Sequence, residues 1–159
     1  MSTTLSASAQ KIQEALRAFD VSCQVVELPD STRSAQEAAQ AVGCQVEQIV
    51  KSLIFKGKQS QKPILVLASG ANRVNEKALK EFANEPIKKA DANFVREKTG
   101  FAIGGVPPLG HAEKLETYLD EDLLQYEEIW AAAGTPHAVF KLTPHDLQTI
   151  TDGQVISVK

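Results

Sequence analysis

Two apolar runs, IVKSLIF (residues 49–55) and PILVLAS (residues 63–69), stand one short polar connection apart. Both are rich in β-branched and large apolar residues, and the GKQSQK between them reads as a hairpin link. The flanking segments then decide the fold. Upstream, SASAQKIQEALRAF puts Ile12, Ala15, Leu16 and Phe19 on one helical stripe. CQVVEL reads as a short strand. SAQEAAQAVG carries the pattern of a capping box, Ser34 with Glu37, and a stop at Gly43.

Downstream, NEKALKEFAN starts at Asn75 and packs Ala78, Leu79 and Phe82, while DANFVREKTG runs from Asp91 to a stop at Gly100. LETYLD, a DEDLL turn of helix, EIWAAA and HAVFKL follow. TPHDLQTI has Thr143 as N-cap and Pro144 at the first helical position, where the missing N–H costs nothing. GQVISV closes the chain as a strand. Helices and strands intersperse without strict alternation and with short links. This predicts an α/β fold: one domain over residues 1–159, with a mixed sheet and no repeat, low-complexity tract or dividing linker.

A length of 159 residues suits one domain that buries most of its apolar surface unaided. Cys23 and Cys44 form no CxxC, so neither a zinc ribbon nor a disulfide framework is suggested, and a reducing compartment fits. The start, MSTTLSASAQK, lacks a basic region followed by an apolar run, and no apolar stretch approaches membrane-spanning length. A cytoplasmic protein with no membrane partner is expected. The net charge of −3 hides an asymmetry: residues 51–98 carry 11 basic and 5 acidic side chains, residues 99–159 carry 3 and 9. Such a distribution places a positive surface on an acidic body and hints at a polyanionic partner, although scattered solvated lysines give the same count.

Familiar catalytic motifs are absent. Ser69 sits in LASGA rather than in a GxSxG elbow, and GKQS lacks the preceding glycine of a phosphate-binding loop. His111, His137 and His145 show no metal-ligand spacing. Four unusual features remain. Lys51 opens an otherwise apolar strand, so its side chain either snorkels to solvent or enters a pocket. SGANRVN pairs a tight turn with Arg73. FAIGGVPPLGH alternates glycines and prolines, fixing the backbone while permitting close approach to it. AAGTPHAVF sets Gly134 and Pro136 between two strands.

In this order and spacing, IVKSLIF, VLASGANRVN, FAIGGVPPLGH and WAAAGTPHAVF resemble the YbaK/ProX family, free-standing relatives of the editing domain inserted in bacterial prolyl-tRNA synthetases. The resemblance runs from about Ile12 to Val158. It implies a compact domain with a mixed, partly barrel-like sheet surrounded by helices, and hydrolysis of mischarged aminoacyl-tRNA without metal or cofactor. The family's strand lysine matches Lys51. Its GxxxP loop matches Gly104, Gly105, Val106, Pro107 and Pro108, and its late loop, which shapes the amino-acid pocket, matches Gly134, Thr135, Pro136 and His137. Several members have a histidine before a proline in that late loop; here the order is Thr135, Pro136, His137, so the histidine's role is not carried to His137.

Ester hydrolysis passes through an oxyanion, which preset backbone amides stabilise. The Gly104–Pro108 loop is the expected source of those amides, with water as the attacking species and a ribose hydroxyl assisting proton transfer. Lys51 is expected at the phosphate or ribose of the RNA 3′ end. Gly110, His111 and the Gly134–His137 loop are the expected substrate contacts, and Lys56, Lys58, Lys62 and Arg73 are expected to steer the acceptor stem. The expected partner is aminoacyl-tRNA, with tRNA-Pro carrying a small amino acid such as alanine as the substrate, and a transient complex with an aminoacyl-tRNA synthetase. Two other readings stay open: a nucleic-acid-binding module without hydrolytic activity, and a protein that docks on a synthetase through its acidic C-terminal part.

Overall fold

The computed structural model describes residues 5–19 and 21–159. Met1–Thr4, where the absence of a leader was read, lie outside the described residues, as does Asp20. The apolar hairpin forms as expected, with β2 over Ile49–Gly57 and β3 over Pro63–Ser69 joined in antiparallel register from Val50↔Ser69 to Lys56↔Pro63. Every residue of β3 is buried. The strand lies between β2 and β5 (Glu116–Asp120), and alternate side chains enter two different cores.

Leu65 and Leu67 point into the larger core, with Ile12 and Leu16 of α1 (Ala7–Ala18), Val95 of α4 (Ala92–Thr99) and Leu147 and Ile150 of α5 (Pro144–Thr151). Ile64, Val66 and Ala68 point the other way, onto Leu79 and Ala83 of α3 (Glu76–Ala83). Helices therefore cover both faces. The sheet runs β1-β7-β6-β2-β3-β5-β8, with β1 at Val25–Glu27, β6 at Ile129–Ala132, β7 at Ala138–Leu142 and β8 at Gln154–Ile156. Its β2–β6, β3–β5 and β5–β8 pairs are parallel and the others antiparallel, so the sheet is mixed, and it does not close into a full barrel.

Local signals set most helix ends. Ser34 accepts from Glu37 N–H at the start of α2 (Ala35–Val42), and Gly43 ends that helix at φ 78°. The Ser34 hydroxyl donates to the Glu37 carboxylate, which takes the place of the reciprocal bond to the Ser34 amide in the expected capping box. Thr143 and Asp146 do make the full box. Two aromatic placements differ from expectation. Phe19 caps α1 and is 43% exposed, and Phe82, at 39% exposure, lies beside the Tyr118 ring instead of in the core. A strand absent from the sequence reading, β4 (Ile87–Lys89), pairs with the far end of β2. No helix among the described residues is long and apolar enough to cross a membrane.

Candidate active site

β2 pairs with β6 only at Ile49↔Trp130 and Val50↔Ala131, and with β4 only from Phe55 onward. Its edge at residues 51–54 is left without a neighbouring strand on that side. Where the parallel strands part, a cleft of about 320 Å³ opens. α2 contributes Ala35, Ala38 and Val42 to one wall, and β6 contributes Trp130 and Ala132. Lys51 and Ser52 line the β2 edge, with Ile103, Gly104 and Val106 entering from the Gly/Pro loop.

Lys51 is half-buried on the strand face it shares with Ile49 and Leu53. Its Nζ donates to the Asn72 carbonyl, which ties the side chain to the turn after β3, and Lys51 lines the cleft. Burial pushes its pKa below the usual lysine value; the Asp120 carboxylate opposes that shift, and the Lys89 and Arg73 charges add to it. Ser52 Oγ is a buried side-chain hydroxyl without a hydrogen-bond partner among the described residues.

Gly104 has φ 94°, in the left-handed region, and a Cβ there would stand 2.6 Å from Arg33 Cγ, so the arginine side chain lies across the loop. Gly105 sits against the late loop: an added Cβ would meet the Thr135 backbone at 2.9 to 3.1 Å, and the Gly134 N–H donates to the Gly105 carbonyl at 3.0 Å. The two Gly/Pro loops are thereby joined.

The expected amide cradle is narrower than the loop. Pro107 and Pro108 have no N–H, and the Gly105 N–H is used within a turn, donating to Ala102 at 3.0 Å. The Gly104 and Val106 amides have no intrachain acceptor among the described residues.

The other expected residues lie apart from the cleft. Pro108, Gly110 and His111 line a second, more open groove of about 510 Å³ with Thr149 and Ile150 of α5. His111 Nε2 donates to the Pro107 carbonyl at 2.6 Å, and burial of the ring lowers its pKa. Thr135, Pro136 and His137 are not on the cleft wall, but the Pro136 carbonyl accepts from Thr32 N–H (2.6 Å) and Thr32 Oγ1 (2.9 Å), and Thr32 is. His137 is exposed, with Nδ1 3.1 Å from the Asp30 carbonyl. Lys62 pairs with Glu116 at 2.9 Å, Lys56 lies 4.9 Å over the Phe94 ring, and Lys58 is exposed at the hairpin tip. Arg73, also exposed, is near enough to act on Lys51.

Arg33, Ser52, Asn72, Trp130 and Asp120 were missed by the sequence reading. Ser52 stands next to the quoted lysine and Asn72 next to the quoted arginine, so those two were within reach of a closer reading of the same motifs.

A half-buried ammonium and two amides without partners, in a cleft with no histidine, cysteine or carboxylate among its described lining residues, make a small-ligand site in a mixed α/β domain. The aminoacyl-tRNA editing domain family matches residues 29–150, and the chain belongs to that family. It is 32% identical over 131 residues to the uncharacterised protein YwhH of Bacillus subtilis (strain 168), covering 82% of this chain and 83% of the relative. It is 26% identical over 125 residues, 79% of this chain and 76% of the relative, to an Enterococcus faecalis protein provisionally named Cys-tRNA(Pro)/Cys-tRNA(Cys) deacylase EbsC. A solved structure provisionally described as a trans-editing enzyme for prolyl tRNA synthetase matches with TM-score 0.92 and 51% identity, covering 98% of this chain and 99% of that one.

Proposed function

We propose that this domain hydrolyses the ester of a mischarged tRNA in trans, with tRNA-Pro bearing a small amino acid such as alanine as its substrate. One observation carries the reading: Lys51, Gly104 and Val106, from segments more than 50 residues apart, line a single cleft. The Gly104 and Val106 amides bind the ester carbonyl oxygen as it gains charge, an interaction stronger in the transition state than in the ground state. Water adds to the carbonyl carbon. The ester C–O bond then breaks, a proton passes to the departing ribose oxygen with the help of the neighbouring ribose hydroxyl, and free amino acid and tRNA are released.

Of the three hydroxyl residues of the wall, Thr32 donates to the Pro136 carbonyl, Ser34 is engaged with Glu37 as the N-cap of α2, and Ser52 has no hydrogen-bond partner among the described residues, so an activated side-chain nucleophile is not part of this scheme. Lys51 holds the phosphate or ribose of the 3′ end as a point charge. Arg73 extends that contact to the acceptor stem, and binding weakens as salt rises. The apolar wall from α2 and Trp130 limits the size of the bound group, and rigid exclusion rejects larger side chains more strongly than the ~1–3 kcal/mol that an apolar pocket gains per methylene.

Cysteine is the second candidate for the removed amino acid, because EbsC is named for it. A panel of mischarged tRNAs, with release of each amino acid measured with and without the protein, tests the reading. Fast release of alanine from tRNA-Pro is expected, with Lys51→Ala slowing it roughly 100-fold while the far-ultraviolet circular dichroism stays unchanged. Release of cysteine alone would replace the amino acid, and release of none would favour a nucleic-acid-binding module.

A further inference from the structure

The turn Ser69–Asn72 is held more firmly than a chain reversal requires. The Asn72 N–H donates to the Ser69 carbonyl at 2.9 Å, the Gly70 N–H to Ile49 at 2.7 Å, and the Ser69 hydroxyl to Glu47 at 2.8 Å. Asp120, at the end of β5, adds another set of ties. It is 1% exposed, and its Oδ2 accepts from the Ser69 N–H (2.9 Å) and the Asn72 Nδ2 (2.7 Å) while its Oδ1 accepts from the Asp122 N–H (2.9 Å). The Asn72 Nδ2 also donates to Asp122 Oδ2 at 2.8 Å. The Asn72 side-chain amide is therefore clamped between two carboxylates, and its backbone carbonyl is the group that accepts from the Lys51 ammonium.

A buried carboxylate is costly unless it is well hydrogen-bonded or paired with a cation. Asp122 has an ion pair, with Lys159 at 2.9 Å, whereas Asp120 has none among the described residues. Its charge acts on Lys51 instead. Parallel pairing of β3 with β5, through Leu67↔Leu119, delivers the carboxylate to the turn.

We propose that Asp120 is a positioning residue for Lys51: by clamping Asn72 it fixes the carbonyl that aims the ammonium into the cleft. The consequence for rate rests on the deacylase reading; the consequence for the ammonium itself does not. The charged groups acting on Lys51 are Asp120 from β5, Lys89 from β4 and Arg73 after the turn, with Arg33 entering the same cleft from the loop before α2.

The first experiment follows Lys51 without substrate, by the pH dependence of its labelling with an amine reagent, read by mass spectrometry. Since Asp120 favours the charged ammonium, Asp120→Asn moves the Lys51 titration to lower pH, so the lysine reacts faster at a given pH. An unmoved titration in folded Asp120→Asn protein overturns the proposal. Asn72→Ala keeps the backbone carbonyl and the Asp120 charge and removes only the clamp. A moved Lys51 titration in this folded variant too is the result expected of positioning, and an unmoved one means that Asp120 acts by its charge alone and overturns the proposal.

The second experiment is a double-mutant cycle on deacylation. Asn72→Ala alone slows the reaction about tenfold, and in a Lys51→Ala background it changes the rate less than about twofold. A full tenfold loss in that background means that the clamp acts elsewhere and overturns the proposal. Should the native protein cleave no mischarged tRNA, the deacylase reading fails, while the Lys51 titration still decides whether Asp120 positions the ammonium.

Discussion

Gly104 and Val106 border the cleft with amides that no acceptor among the described residues claims, whereas four residues further on Gly110 and His111 line a different groove beside α5. The two halves of one Gly/Pro loop are built differently. In the first half, glycines let distant segments of the chain come close: Arg33 over Gly104, and the Thr135 backbone against Gly105. In the second half, Leu109 is buried in the larger core, Gly110 adopts φ 80° with Ile12 of α1 against it, and the His111 ring closes back onto the Pro107 carbonyl. The first half leaves two amides without an acceptor among the described residues, while the second half ties its own residues to the core. The segment meets solvent on one side only, with Gly105 through Leu109 all buried.

The sharpest way to break this division is Gly105→Ala. Its Cβ would press on the Thr135 backbone, which cannot swing aside as a side-chain tip can, so the two loops must separate. Deacylation is expected to fall roughly 100-fold, as misplacing reactive groups by an ångström does, with a stability loss of about 1–3 kcal/mol. Single-turnover rates alongside urea unfolding measure both. A folded variant with native turnover would show that the join between the loops is dispensable for the Gly104 and Val106 amides.

Gly110→Ala is expected to show the reverse balance. It forces alanine to φ 80° and brings a Cβ to 2.8 Å from Ile12 Cδ1 in a fully buried side chain, costing about 1–3 kcal/mol of stability. Turnover per folded molecule should change by less than about threefold, because the cleft half keeps its contacts. If turnover fell as far as in Gly105→Ala, the halves would be one mechanical unit, and the division drawn between them would dissolve.

What could be read beforehand follows the same line between local and distant causes. Helix stops at Gly43 and Gly100 depend on one residue's backbone freedom, and both glycines sit in the left-handed region as the sequence suggested. The apolar hairpin depends on neighbours in the chain. β4 escaped notice because Ile87–Lys89 is short and two-thirds charged, and only its register against β2 makes it a strand. Phe82 was misplaced because a helical stripe says which residues share a face, not how far the opposing sheet extends beneath it. The cleft itself depends on where β2 and β6 part, and the contact between Asp120 and Asn72, 48 positions apart in the chain, on the parallel register of β3 with β5, which no local pattern encodes.

The mildest way to sharpen the comparison is His111→Gln, read through pH. Desolvation lowers the pKa of His111 in the folded protein below its ordinary value of 6.5; the bond to Pro107 opposes this and the Lys11 charge reinforces it. Between that lowered value and 6.5 the unfolded chain binds a proton that the folded chain refuses, so stability falls as pH drops through this window and levels off below it. Glutamine can still donate to the Pro107 carbonyl but has no proton to take up. The native protein should therefore lose more melting temperature than His111→Gln between pH 7.5 and 5.5. Parallel pH dependences would mean that the ring titrates in the folded protein as it does in the unfolded chain, and that its burial in the second half of the loop does not oppose protonation.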